Sequence, residues 1–156
     1  MGVYGLLFAD CTQNSQQKEF IIRKSVQVAC AIIERGGLVL AAQRSAFKGL
    51  PLKWEFPGGK IEPGEPLEGC LKRELLEEMG VGIEIGASLP PHTHHYADFS
   101  VTLHPFICTI TSGEIVLYEH ADAIWVPPEK LRTMDWAEAD FPVIDSYLAG
   151  LRGRAS

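Results

Sequence analysis

The sequence predicts an α/β (α+β) fold, a sandwich built on a mixed β-sheet. Three observations lead there. β-rich stretches occur both early and late in the chain, one amphipathic helix bounded by proline and glycine lies in the middle, and two shorter helical stretches follow near the end. With 156 residues, 46% hydrophobic and 22% charged, the chain suits one core of ordinary composition rather than a disordered segment.

The elements follow in order. Residues 10–19, DCTQNSQQKE, are polar and without periodicity, so residues 1–24 are expected to form a flexible or loosely docked leader, with a single domain over 25–156. SVQVACAII and LVLAAQ, separated by Gly36-Gly37, read as a β-hairpin. FKGLPLKWEFPGGKIEPGE is too rich in glycine and proline to be one regular element and reads as a shaped loop. Pro66 then suits a first helical position, Leu67, Leu71, Leu75 and Met79 share a face, and Gly80 supplies the stop. FSVTLHPFICTI alternates as a long strand, and IVLY and AIWV read as shorter ones. Two late helices are expected, from Pro128 to about Met134 and from Phe141 to about Leu151.

Composition narrows the partners. A net charge of -6 argues against a nonspecific grip on long nucleic acid, which needs a basic face to replace counterions. A small anionic ligand is compatible with it if a metal offsets the charge locally. Cys11, Cys30, Cys70 and Cys108 form no CxxC pair and read as reduced thiols. Val3 to Ala9 lacks the basic start and cleavage site of a targeting peptide, and no apolar run approaches the ~20 residues of a membrane span. A cytoplasmic protein, monomeric or homodimeric, is the expectation.

The chemistry concentrates on the central helix. Glu74, Glu77 and Glu78, at i, i+3 and i+4, project within an arc of roughly 100° beside Leu71, Leu75 and Met79. Like charges at that spacing oppose helix formation unless something positive sits among them. In the preceding loop Gly58-Gly59 permits close backbone approach and offers a carbonyl to a cation. Hard oxygen donors of this kind suit Mg²⁺, with Mn²⁺ as a substitute, held through carboxylates together with substrate phosphates.

Gly59, Glu65, Arg73-Glu74-Leu75, Glu77-Glu78 and Gly80-Val81 have the spacing of a complete Nudix box, nine specified residues in a 23-residue window. The chain is identified by this resemblance as a MutT-like member of the Nudix hydrolase superfamily. The likeness extends from about Val26 to Leu151. WEFPGGKIEPGE resembles the segment entering the box in MutT-like enzymes. HHYADFSVTLHPF, EHADAIWV and WAEADFPVI resemble later stretches of the bacterial CTP pyrophosphohydrolase subgroup.

The resemblance implies a Nudix-type α/β/α sandwich and a Mg²⁺-dependent hydrolysis of a nucleoside triphosphate to monophosphate and pyrophosphate. Glu74, Glu77, Glu78 and Glu119 become metal ligands with the Gly58 carbonyl, and Glu65 and Arg73 orient them. A metal-associated water attacks the β-phosphorus, with Glu74 or Glu119 as general base. Lys60 contacts a phosphate. The base pocket falls to Val26, Val28, Arg44, Phe56, Tyr96, Val101, Leu103 and Asp140.

Asp140 is the informative position, because the MutT enzyme that clears oxidised guanine nucleotides has Asn there. An ionised carboxylate only accepts hydrogen bonds and so pairs with the cytosine amino group, or with guanine N1–H and its amino group, whereas a protonated one also accommodates an oxidised purine. CTP, dCTP or a modified cytosine nucleotide is therefore the first choice of substrate. An enzyme clearing 8-oxo-dGTP is the alternative, and a noncatalytic nucleotide-sensing module the alternative of another class. The intact box opposes the last, and together with the acidic charge it opposes a DNA-repair glycosylase.

Overall fold

Strand β1 (Lys24–Arg35) explains most of the architecture. Alternate residues of a strand face opposite sides, and here Ala29, Cys30, Ala31, Ile32 and Ile33 are all at most 1% exposed. Cys30 and Ile32 enter one core cluster, Ala29, Ala31 and Ile33 the other. A strand buried on both faces belongs in the middle of a covered sheet. The computed structural model describes residues 24–155, and the leader expected over 1–24 lies outside them except for Lys24, which already belongs to β1. Cys11 is outside them too.

The remaining strands are β2 (Leu38–Gln43), β3 (Trp54–Glu55), β4 (Gly58–Lys60), β5 (Gly82–Ser88), β6 (His92–His95), β7 (Phe99–Ser112) and β8 (Asp122–Val126). The sheet runs β3-β2-β1-β7-β5, with β4 beside β1, β6 beside β7 and β8 beside β2. It is mixed, as expected, because β1 and β7 run parallel from Lys24↔Phe99 to Ile33↔Cys108 while the other pairings are antiparallel. The hairpin closes with Arg35 opposite Leu38, and its turn residues Gly36 and Gly37 both take positive φ, +56° and +78°. That backbone matches the strand twist and strongly favours glycine.

Helix α1 (Leu67–Met79) covers one face with Leu71, Leu75 and Met79, each 0% exposed. Removing such side chains from water stabilises the fold by about 1.5–3 kcal/mol each. Helix α2 (Phe141–Ala155) covers the other face through Val143, Ile144 and Tyr147, beside Leu131 and Trp136.

Several boundaries differ from the sequence reading. Pro66 is the residue capping α1, not its first helical residue. The first late helix is a 3-10 helix, Pro128–Thr133, and α2 continues past Leu151. IVLY is not a strand; Val116 and Tyr118 instead donate their N–H groups to Met79 O and Glu78 O at the end of α1. The shaped loop contains β3 and β4, short segments whose pairing is supplied by β2 and β1 rather than by any local pattern. Among the described residues no helix is long and apolar enough to cross a membrane.

Candidate active site

The loop entering α1 touches the helix at its glycines. A Cβ on Gly59 would lie 2.2 Å from the carboxyl carbon of Glu74, and one on Gly58 would lie 2.0 Å from the backbone oxygen of Ala29. Only a missing side chain permits both approaches. β4 is thereby wedged between β1 and α1, which holds the glycine backbone against Glu74.

Arg73 organises the rim. Its Nε and Nη2 donate to the two oxygens of Glu65 at 2.8 and 2.9 Å, and Nη1 donates to Glu74 at 2.8 Å and to Glu77 at 3.3 Å. The forked guanidinium is suited to this two-point grip on a carboxylate. Those hydrogen bonds hold Glu65 down to about 2.

Glu78 is different. It is 8% exposed, and its Oε2 is buried with no hydrogen-bond partner among the described residues. Burial first, then the nearby charges of Glu55, Glu74 and Glu119, push its carboxyl up to about 9, while Lys48 works in the opposite direction. A buried, unpaired carboxylate among other carboxylates is costly without a cation. Hard oxygen donors, an orphaned buried oxygen and a glycine cradle together fit a divalent cation of the Mg²⁺ type.

The three helix acids differ in exposure. Glu74 and Glu78 turn inward, whereas the Glu77 side chain is 58% exposed and meets Arg73. Glu119 is brought from the far end of the chain, with its carboxylate on Lys48 at 3.2 Å. Glu74 and Glu119 are each engaged by a basic side chain, and no three His, Cys, Asp or Glu groups among the described residues stand in a ready coordination arrangement.

Glu55 is the residue that the sequence reading missed. It accepts from Arg44 Nη1 at 2.7 Å and from His120 Nε2 at 3.0 Å. Burial works to raise its pKa, but the hydrogen bonds from His120 and Arg44 outweigh this and hold it below the usual range. The signal was a lone charged residue between Trp54 and Phe56.

Behind Glu55 lies an apolar wall. Phe56, Val101, Leu103, Val28 and Tyr96 share one cluster with Trp136, whose ring centroid is 4.7 Å from that of Phe56. Asp140, 5% exposed, accepts the Phe56 N–H at 3.0 Å. Tyr96 Oη accepts the Ala139 N–H at 3.1 Å. Burial raises Asp140 well above the usual carboxylate range, against the Phe56 N–H that favours its charge. That shift favours the protonated form of Asp140, whereas the first substrate argument uses the ionised one. Val26 lies partly exposed toward the start of β1, and the exposed Lys60 pairs with Val28 in the sheet and lends its backbone oxygen to Arg73 and Cys70. Cys30, Cys70 and Cys108 are buried free thiols.

A separate groove of about 660 Å³ runs between the start of α1 and β7, lined in part by Leu67, Lys72, Leu89 and His104. It contains none of the predicted site residues.

The chain matches the NUDIX domain family over residues 23–147. It is 35% identical over 126 residues to the CTP pyrophosphohydrolase of Escherichia coli K12, covering 81% of this chain and 93% of that protein. To the 8-oxo-dGTP diphosphatase of the same organism it is 31% identical over 122 residues, covering 78% and 95%. The solution structure of the E. coli ORF135 protein superposes with a TM-score of 0.71 at 34% identity, covering 81% of this chain and 91% of that one.

Proposed function

The chain belongs to the NUDIX family and is a Nudix hydrolase, and on that premise we propose that it hydrolyses a nucleoside triphosphate to the monophosphate and pyrophosphate with Mg²⁺, Mn²⁺ serving as a substitute. The observation that carries this is Glu78, whose buried oxygen has no partner among the described residues and lies among the charges of Glu55, Glu74 and Glu119. In this reading Glu74, Glu78 and Glu119 hold the cation with the Gly58 carbonyl, and Glu77 joins from the rim. When bound, the cation lowers the pKa of water and neutralises charge on the phosphates.

The residues then divide the work. Arg73, braced on Glu65, orients Glu74. Glu74 or Glu119 takes the proton of the attacking water, whose oxygen bonds to the β-phosphorus. The α–β bridging oxygen departs with the nucleoside monophosphate. Lys60, beside the glycines, meets a phosphate in this reading, and Val26 extends the pocket edge. Arg44, held on Glu55, together with Val28, Phe56 and Tyr96, shapes the base pocket.

Asp140 sets the base preference. In its protonated form, which burial favours, it offers one O–H donor beside one carbonyl acceptor, which matches N3 and the amino group of cytosine. The same pair matches O6 and N7–H of an 8-oxo purine, so the protonated form also favours that second reading. A cytoplasmic role in turnover or cleansing of the nucleotide pool follows from either.

Pyrophosphate release in Mg²⁺ across CTP, dCTP, 5-methyl-dCTP, dGTP, 8-oxo-dGTP and ADP-ribose, with products identified, tests the proposal. Preferred turnover of cytosine nucleotides to monophosphates supports the first reading, and a preference for 8-oxo-dGTP supports the second. No turnover of any triphosphate in Mg²⁺ or Mn²⁺ overturns both.

A further inference from the structure

Lys48 lies between β2 and β3 and donates from Nζ to Glu119 across 71 positions of sequence. Both side chains are half-exposed, 50% and 47%, and an exposed pair of this kind adds little to stability. Its location gives it another significance. Glu119 follows Tyr118, whose N–H donates to Glu78 O, so the pair sits beside the end of α1 that carries the helix acids.

The backbone around it is held in an unusual shape. Leu50 and Leu52 have φ of +53° and +60°, in the left-handed region that branched side chains avoid. Arg44 Nε donates to Gly49 O at 2.7 Å and Gln43 Nε2 to Leu52 O at 3.1 Å. Two backbone bonds, Leu52 N–H to Arg44 O and Lys53 N–H to Leu50 O, close the turn. Strain of this sort persists where surrounding contacts over-determine it, and it gathers at ligand sites. Arg44 is itself fixed on Glu55, so the segment presenting Lys48 is tied to the site.

Resting on the reading above that Glu119 holds the divalent cation, we infer that Lys48 is a substrate-positioning residue: its ammonium answers Glu119 until that carboxylate takes the cation, and then turns to the polyphosphate of the nucleotide. Lysine suits the exchange, being a compact charge with three donors on a flexible stem. Without a mobile cation here, the polyphosphate would meet the carboxylate cluster with one positive group fewer. Lys48 thus competes with the metal for Glu119 and cooperates with it in binding phosphate.

Mn²⁺ affinity of the full chain, read from the signal of free Mn²⁺ in electron paramagnetic resonance, tests both halves with Lys48→Met and Glu119→Gln. Inorganic tripolyphosphate, titrated calorimetrically at saturating Mn²⁺, serves as a probe without a base. Lys48→Met is expected to tighten Mn²⁺ by about two- to five-fold and to weaken tripolyphosphate by about five- to ten-fold, with KM for nucleotide rising more than kcat falls. Lys48→Arg should restore most of the phosphate affinity. If Glu119→Gln weakens Mn²⁺ but Lys48→Met leaves either affinity at the wild-type value, the role of Lys48 is overturned alone. If Glu119→Gln leaves Mn²⁺ affinity unchanged, the cation-site reading fails and this inference with it.

Discussion

The carboxylate of Asp140 accepts the backbone N–H of Phe56 at 3.0 Å, across 84 positions of sequence. This bond ties the residue before α2 to the segment that enters the glycine loop. Its acceptor is nevertheless a group that burial makes reluctant to ionise, with Glu55 adding to the rise and Arg44 opposing it.

Asp140→Asn keeps an acceptor for the Phe56 N–H and removes the ionisable group. Because the folded pKa is raised, the wild-type protein loses stability as pH rises from about 4, the unfolded value, toward the folded one. The variant should therefore gain on the wild type as pH rises through that window. Urea midpoints are expected to show a difference that is larger at pH 6 and 8 than at pH 4, and a constant difference would contradict the raised carboxyl.

Glu78→Gln should abolish Mg²⁺-dependent turnover and still stabilise the protein. The carboxyl is raised to about 9 by burial and neighbouring acids, so in EDTA the wild type loses stability from about pH 4 up to about pH 9. At pH 8 a gain on the order of 1–3 kcal/mol for the variant is expected, shrinking toward pH 4. Wild-type turnover in Glu78→Gln would remove this residue from the metal site.

Gly58→Ala and Gly59→Ala should fail differently. At Gly58 the new methyl meets the Ala29 backbone, which must shift, costing about 1–3 kcal/mol. At Gly59 it meets the flexible end of Glu74, which swings away at little cost in stability. Thermal unfolding should register the first substitution, and kcat, falling roughly 10–100-fold, the second. Equal loss of stability in both would show that the Glu74 carboxylate is not free to move.

Arg73→Lys retains charge but loses the fork that grips Glu65 and reaches Glu74. Hydrolysis is expected to fall about 10–100-fold, with the change mainly in kcat and the Tm nearly unchanged. Steady-state kinetics beside calorimetry checks this. A fall in KM-dependent binding alone would place Arg73 on the substrate instead.

Local periodicity was enough to make α1 and the β1–β2 hairpin legible, because the i, i+4 repeat of Leu67, Leu71 and Leu75, the Gly36-Gly37 turn and the Gly80 stop act within a few residues. The box spacing likewise singles out Glu74, Glu78, Arg73 and Glu65. IVLY misled for the same reason: its apolar residues read as a strand, yet the backbone N–H groups of Val116 and Tyr118 go to the end of α1. Strands β3 and β4 were illegible because segments of two or three residues exist only through their partners.

What the sequence by itself determined is therefore the family, the mixed-sheet sandwich and the acids of the helix, all written in spacings along the chain. Tertiary structure alone decided that Glu77 stays at the rim while Glu78 has a buried oxygen without a partner among the described residues, that Glu55 is clasped by Arg44 and His120, that Lys48 pairs with Glu119, and that burial raises the Asp140 carboxyl. Burial and charge pairing depend on groups far apart in the chain, and no periodicity within one segment encodes the dielectric or the partners that another segment provides.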